Sequence, residues 1–302
     1  MKRWCGLLAA FLLGHAWAQI SFPPENLTQA LGVNSQGRSF TYNRGTVQLE
    51  LLAGLVYKVG YRGPATDYLG AGRVLAAGIG EPKIAEAFLG FMRQNADKLR
   101  GKGPQNIGVV DGFTFTLTLA ADLSFTLAPV EIKDFGPDRH VLGKSGVMIR
   151  EFSDFQCPYC KQFTLQVKPE LEKRYINPGL ARFSFRHFPL TQIHPQAMPA
   201  ALAAECAAQQ GKFFEYHDAL FEKGINVSAR AQELKLDELK LLRCTQDPAT
   251  RQIIESDLAM GNQVGVNGTP TVFVGPFRLP NAYDIDAYER YIKMANAPGY
   301  TP

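Results

Sequence analysis

Two cysteines separated by two residues, at the junction of a predicted strand and a predicted helix, constrain the fold of this chain more than any other feature. The run is Cys157-Pro158-Tyr159-Cys160. Residues 147–152 before it are apolar and β-prone, as expected for a buried strand. Two thiols at this spacing can close to a disulfide and reopen, so the fold has to hold them side by side.

The segment after the motif predicts an amphipathic helix. Its apolar residues recur at four-residue spacing, at Phe163, Val167, Leu171 and Tyr175. Cys157 would then lie at the helix N-terminus, where unpaired backbone N–H groups and the helix dipole favour a thiolate. The thiolate is the nucleophile of disulfide exchange, so this position promotes that chemistry.

Two other uses of the pair are open from the spacing alone. A zinc site needs about four ligands, but there is no second CxxC, and the later histidines are scattered at His140, His187, His194 and His217. An inert structural disulfide across so short a loop would gain little chain entropy. Redox chemistry is therefore the favoured interpretation, with no metal or cofactor required.

Residues 1–18 have the pattern of a secretory signal peptide. A basic start is followed by an apolar run over 4–13 and by a small-x-small cleavage site ending at Ala18. The run is too short to span a bilayer, and no later stretch is long and apolar enough to do so. We expect cleavage near Ala18 and a soluble protein in the periplasm or another extracytoplasmic compartment.

Removal of residues 1–18 changes the cysteine count and the charge. Of five cysteines, Cys5 leaves with the peptide, so Cys157, Cys160, Cys206 and Cys244 remain. An even number in an oxidising compartment favours pairing. Lys2 and Arg3 also leave, which takes the formal charge from +4 to +2. This near-neutral balance argues against nucleic acid as a partner.

The remaining length, 302 residues minus 18, predicts two domains. Residues 19–134 predict a small α+β domain with an antiparallel sheet, because alternating apolar positions at 55–61 and 113–127 surround a helical stripe at 84–99. A dimerisation or docking role for this domain is left open. The glycines and Gly136-Pro137 within 135–146 predict a linker.

Residues 147–302 predict an α/β domain. Strand 147–153, a helix and the β-prone segment 182–186 imply a parallel pair with a right-handed crossover. A largely helical stretch follows over about 195–264, in which Asp247 and Pro248 are a natural N-cap and N1 pair. The chain then returns to a strand at 271–274 and ends in a helix.

This second half resembles the DsbA-like thiol:disulfide oxidoreductases, which have a thioredoxin-like fold with a helical insertion. The resemblance rests on the run from Phe152 to Cys160, on Gly268-Thr269-Pro270-Thr271 before a strand, and on the helical stretch between them. It covers about half of the chain.

The resemblance implies a role for each residue of the motifs. Cys157 is the attacking thiolate and Cys160 the resolving thiol, while Pro158 and Tyr159 tune the thiolate. Thr269-Pro270 is the cis-proline loop, whose backbone pairs with an extended substrate.

Three further residues are candidates. Glu151 lies six positions before Cys157, where related folds keep a buried acid that relays a proton to Cys160; a solvated strand residue paired with Arg150 is the alternative. Cys206 and Cys244 lie in the insertion, thirty-eight positions apart. A disulfide between them would stabilise the fold by about 4 kcal/mol, and two buried free thiols are the alternative.

The predicted function is an extracytoplasmic thiol:disulfide oxidoreductase, specifically an oxidase. Its partners would be secreted proteins with thiols or disulfides and a membrane redox protein. An isomerase or reductase like DsbC and DsbG is the first alternative, since those proteins also carry an N-terminal domain, and it would favour a homodimer. A Cu(I)-binding protein that uses the dithiol is the second alternative.

Overall fold

The computed structural model describes residues 20–35, 37–110 and 112–301. The predicted signal peptide, with Cys5, lies outside the described residues. The chain divides into two compact units: the first runs to Glu131 and takes up the C-terminal segment from Lys293, and the second is Ile132–Ile292. Among the described residues, no helix combines the length and hydropathy needed to cross a membrane.

The first unit contains an antiparallel sheet in the strand order β1-β2-β3-β6-β5-β4. Its strands are β1 Ser39–Tyr42, β2 Gly45–Leu52, β3 Leu55–Pro64, β4 Gln105–Val110, β5 Phe113–Leu119 and β6 Asp122–Pro129. Its helices are α1 Pro24–Ala30, α2 Tyr68–Ile79 and α3 Lys83–Leu99.

The alternation in β5 explains how this sheet buries one face. Phe113, Phe115, Leu117 and Leu119 are buried, while the intervening threonines are partly exposed. Side chains of α3 close over this face, with Phe88 edge-on to Phe115 at 6.0 Å between ring centroids. The predicted antiparallel α+β organisation of this region is confirmed.

The second unit contains a mixed sheet in the order β11-β10-β8-β9-β7, in which β8 and β9 are parallel and the other neighbours antiparallel. Its strands are β7 Val141–Leu142, β8 Val147–Ser153, β9 Ala181–His187, β10 Thr271–Val274 and β11 Phe277–Arg278. Its helices are α4 Pro158–Gln162, α5 Lys168–Leu171, α6 Ala197–Ala208, α7 Phe213–Lys223, α8 Val227–Glu233, α9 Glu238–Gln246, α10 Pro248–Gln263 and α11 Ile285–Ala295. This is a thioredoxin-like fold with a helical insertion, α6–α10, between β9 and β10.

The helix after the dithiol is less regular than its apolar spacing predicts. Between Pro158 and Ile176 the two α-helical segments alternate with π-helical turns at Phe163–Val167 and Glu172–Ile176. Pro169 explains the irregularity, because it has no N–H to donate and its ring clashes with the carbonyl one turn earlier.

The structure does not agree with a linker at 135–146. Phe135 is buried and packs edge-on against Phe273 at 5.0 Å between centroids. The carboxylate of Asp138 accepts hydrogen bonds of 2.8 Å from Arg150 and Arg186, and β7 extends the sheet beside β9. The sequence suggested a linker because the segment is polar and rich in glycine. The partners of its polar residue Asp138, Arg150 and Arg186, lie outside the segment and could not be recognised from the sequence.

The C-terminal residues also depart from the predicted domain 147–302. Tyr300 packs edge-on against Tyr57 and donates a hydrogen bond of 2.7 Å to Glu131, so the segment from Lys293 clusters with the first unit. One aromatic residue in a short polar tail gives no periodic signal, so the sequence did not reveal this.

Candidate active site

The end of β8 and the start of α4 place the two cysteines. Cys157 is the N-cap residue of α4, with extended backbone angles, and Pro158 occupies the first helical position, where its missing N–H leaves no bond unmade. Cys160 follows within the first turn and is fully buried, whereas Cys157 keeps 4% of its surface. Both are free thiols, so the structure shows the dithiol form.

The loop before β10 lies against Cys157. Thr269 and Pro270 are joined by a cis peptide bond. The Cys157 thiol donates to the carbonyl oxygen of Thr269 at 3.4 Å. The Thr269 hydroxyl is buried and has no other partner, so it is available to a thiolate at Cys157. Two segments far apart in sequence thus form one site.

The two thiols have opposite acidities. A hydrogen bond from Cys160 lowers the pKa of Cys157 to about 5 against the opposing effect of burial, and the Thr269 hydroxyl and the N–H groups of Cys160 and Tyr159 act in the same direction. Burial raises the pKa of Cys160 well above its ordinary value, and the neighbouring Cys157 and Glu151 add to this. The favoured state is a thiolate at Cys157 beside a neutral Cys160.

Glu151 lies in β8 and acts electrostatically on Cys160. It is fully buried, and among the described residues neither carboxylate oxygen has a hydrogen-bond partner. Burial raises the pKa of Glu151 to about 8, which Ser153 and Lys168 oppose and Cys157 supports. Arg150, the alternative partner, points elsewhere and binds Asp138. A carboxyl group that titrates near neutral pH can exchange a proton with its surroundings.

Two residues around the dithiol were missed by sequence reasoning. Asp154 is buried and accepts hydrogen bonds from the N–H of Leu190 at 2.7 Å and from His194 Nδ1 at 2.8 Å, while its own N–H faces Cys160 Sγ at 3.5 Å. It therefore fastens the loop after β9 beside the motif. Asp154 also accepts a hydrogen bond from the N–H of Gln156, two residues later. An aspartate that binds the backbone two residues on is typical of a turn, so this local contact could have been predicted from the sequence.

The second missed residue is Tyr283. Its hydroxyl donates to the carbonyl oxygen of Tyr159 at 2.8 Å, 124 positions earlier in the chain. The Tyr159 side chain itself is 62% exposed. Tyr283 thus holds the backbone between the cysteines while the Tyr159 ring stays accessible, and no sequence pattern announces a contact at this separation.

The remaining candidate cysteines form a separate feature. Cys206 in α6 and Cys244 in α9 are joined by a disulfide within the helical insertion. His194, in the loop after β9, reaches the dithiol region through Asp154, whereas His187, the last residue of β9, is buried and contacts Glu205 instead.

The assembled site can perform thiol–disulfide exchange. Its parts are a stabilised thiolate, a protonated thiol one turn away, a buried carboxyl group and an exposed aromatic rim. In the disulfide form, attack of a thiolate on Cys157 would release Cys160. In the dithiol form, Cys157 is the better nucleophile of the two cysteines, and from a mixed disulfide it is the better leaving group.

A sequence profile of the family described as thioredoxin matches residues 137–294. Among curated proteins, the Na(+)/H(+) antiporter NhaA 3 of Salinispora tropica is 35% identical over 169 residues, which is 53% of this chain and 25% of that protein. The NhaA antiporter of Herminiimonas arsenicoxydans is 31% identical over 171 residues, covering 54% and 26% respectively. The chain thus spans about a quarter of the length of the curated relatives it matches.

Two solved structures are similar to about half of this chain. Oxidised BdbD from Bacillus subtilis is 26% identical with a TM-score of 0.47, over 51% of this chain and 92% of that one. A thioredoxin-like oxidoreductase from Silicibacter pomeroyi DSS-3 is 28% identical with a TM-score of 0.47, over 53% and 93%.

Proposed function

The chain belongs to the thioredoxin family, and from this premise we propose that it is a DsbA-like thiol:disulfide oxidoreductase that works outside the cytoplasm as an oxidase of exported proteins. It would transfer the Cys157–Cys160 disulfide to pairs of substrate thiols. The observation that carries this proposal is the placement of the two cysteines: Cys157 is the N-cap residue of α4 and Cys160 is fully buried, which favours a thiolate at Cys157 and a neutral thiol at Cys160.

The reaction has two exchange steps. A substrate thiolate attacks Cys157 Sγ, a mixed disulfide forms, and Cys160 leaves and takes up a proton. A second substrate thiolate then attacks the substrate sulfur of the mixed disulfide and releases Cys157 as a thiolate. The substrate loses two electrons and two protons; the protein gains both electrons and one proton, on Cys160, and the second proton goes to solvent. The stabilised Cys157 thiolate makes this second step favourable.

Glu151 serves this cycle as the proton donor and acceptor for Cys160. The leaving Cys160 needs a proton, and Glu151 holds one near neutral pH because burial raises its pKa to about 8. In reoxidation the same group accepts the proton of Cys160. Pro158 and Tyr159 tune the thiolate, and the backbone of Thr269 aligns an extended substrate beside Cys157.

In the proposed cycle, electrons flow from the exported substrate to the dithiol and then to a redox partner. A membrane redox protein would reoxidise the dithiol, and the first unit would serve for docking or dimerisation. The isomerase alternative rests on the N-terminal domain, which DsbC and DsbG also carry. Those proteins have a long linker helix after that domain, whereas residues 130–157 contain no helix within the described chain. The copper alternative needs two available thiolates, whereas Cys160 is buried and neutral.

Refolding of a reduced substrate tests the proposal. The oxidised protein is mixed in equal amount with a reduced, unfolded substrate protein whose native state contains one disulfide. Both proteins are then analysed by mass spectrometry. We expect the substrate to lose two mass units and the dithiol to gain two. The reduced Cys160→Ser variant, mixed instead with the disulfide-bonded form of the substrate, should be trapped as a mixed disulfide through Cys157. Transfer that persists in Cys157→Ser, or activity only on scrambled substrates, would contradict the oxidase proposal.

A further inference from the structure

Two histidines that are distant in sequence meet around one buried carboxylate. His140 precedes β7, His187 ends β9 and Glu205 lies in α6. The Nε2 atoms of His140 and His187 lie 2.7 and 2.9 Å from the same oxygen, Oε1 of Glu205. All three ligand atoms lie within 4.8 Å of one another.

The surroundings fix the two imidazole rings by packing. His140 stacks face to face on Phe213, with centroids 3.6 Å apart and ring planes 4° from parallel. His187 meets Phe185 edge-on at 5.2 Å. The side chains of His187 and Glu205 keep 1% and 5% exposure, while His140 keeps 10%, so the cluster reaches solvent at His140.

We propose that His140, His187 and Glu205 form a binding site for a divalent cation of the zinc class. Two imidazoles and one carboxylate are ligands that suit Zn²⁺, and three protein ligands with an open fourth position are a known zinc arrangement. The site shares no residue with the dithiol, so it stands apart from the proposed redox function.

The spacing of the ligand atoms is close to what the cation needs. With bonds of about 2.1 Å, a tetrahedral zinc ion separates its ligand atoms by about 3.4 Å. The present separations of 2.7 and 2.9 Å belong to hydrogen bonds, so the ligands have to open by roughly half an ångström. The cation would take the place of the two hydrogen bonds, and each imidazole would then bind through Nε2 and carry its proton on Nδ1.

The charges also suit a cation. Glu205 supplies an acidic side chain that lies in contact with both imidazoles. Residue 140, β9 and the helical insertion would all be tied to one ion. Zinc should therefore stabilise the folded second unit against unfolding.

A titration without competing thiolates tests this site. The protein carries Cys157→Ser and Cys160→Ser, because a reduced dithiol also binds zinc, and Cys206 and Cys244 are held in their disulfide. Zn²⁺ is titrated by calorimetry, and Co²⁺ by its visible absorption. We expect one site per chain and a raised melting temperature.

Matched variants separate a metal site from a hydrogen-bonded cluster. Glu205→Gln keeps an oxygen that accepts from both imidazoles but loses the charge, and His187→Ala removes one ligand. Each should weaken zinc binding by more than about 100-fold, a loss larger than that of an outer-shell contact. His194→Ala, which removes a histidine paired with Asp154, should leave binding unchanged.

The opposite results would overturn the proposal. If the thiolate-free protein binds no zinc, or if Glu205→Gln melts like its parent and binds zinc equally well, the three residues are a hydrogen-bonded cluster only. A comparison of melting curves in the absence of metal verifies that each variant is folded.

Discussion

The thiol of Cys157 lies 3.4 Å from the carbonyl oxygen of Thr269, 112 positions further along the chain. This contact joins the end of β8 to the loop before β10 and creates the site from two separate segments. It also places the Thr269 hydroxyl, which has no other partner, where a Cys157 thiolate needs a donor.

Replacement of Thr269 by valine should therefore make Cys157 less acidic. The substitution keeps the shape of the side chain and removes the hydroxyl donor, so the pKa of Cys157 should rise from about 5 by about one unit. Thiolate absorbance at 240 nm as a function of pH measures this. Thr126→Val, on an exposed face of β6, is the control and should not change the titration. An unchanged titration in Thr269→Val would refute the role of the hydroxyl.

The stability of the reduced protein should depend on pH through Cys157. The folded pKa, about 5, lies below the value of about 8.5 for an unfolded cysteine, so between these values the folded state binds fewer protons. Stability of the reduced form should rise with pH across this window and be lost as pH falls towards 5. The oxidised form has no thiol to titrate at this site.

Denaturant unfolding of both redox forms from pH 4.5 to 8.5 measures this effect. The difference between the reduced and oxidised forms isolates the dithiol, because other groups titrate in both. A difference that stays constant over this range would mean that Cys157 is not a stabilised thiolate.

The Glu151→Gln variant tests the buried carboxyl group in the oxidised protein. The folded pKa, about 8, lies above the unfolded value of about 4.3, so ionisation of Glu151 destabilises the fold as pH rises between them. Glu151→Gln should gain stability over the wild type across that window, by up to about 5 kcal/mol at about 1.4 kcal/mol per pKa unit. Below pH 4 the two proteins should be equally stable.

The same variant tests the proton relay in the reduced protein. In the mixed disulfide between Cys157 and a substrate, Cys160 attacks Cys157 Sγ and has to give up its proton. If Glu151 accepts that proton, the rate of this attack should be lower in Glu151→Gln than in the wild type near pH 8. The variant should also lose the dependence of the rate on a group that titrates near pH 8. Stopped-flow measures this rate, with Glu170→Gln on the exposed helix surface as control. Equal rates in Glu151→Gln and wild type would remove Glu151 from the relay.

The Cys206–Cys244 disulfide should support stability without affecting the redox chemistry. It closes a loop of 38 residues, so replacing both cysteines by serine should lower the free energy of unfolding by about 4 kcal/mol in the chain-entropy treatment. Urea unfolding gives this value. The pKa of Cys157 should be the same in this variant, and a change in it would link the insertion to the dithiol.

The local part of the site could be predicted from the sequence. The strand, the N-cap position of Cys157 and Pro158 at the first helical position depend on residues within about ten positions of each other. The hairpin of β5 and β6 was equally clear, because its alternation of apolar residues and threonines has one structural interpretation.

The missing parts depend on contacts between distant residues. Asp138 looked like a residue of a polar linker because its partners Arg150 and Arg186 lie outside the segment. Tyr283 binds Tyr159 across 124 positions. Likewise, His140 and His187 seemed scattered until β7 paired with β9 and brought both near Glu205. Periodicity carries no information on such pairs.

The reduction potential of the Cys157/Cys160 pair, measured by equilibration with glutathione, tests the central claim most directly. A thiolate stabilised at Cys157 favours the dithiol form, so the disulfide should be a strong oxidant with a potential near about −120 mV. A potential near about −270 mV would describe a reductant and contradict the proposed oxidase.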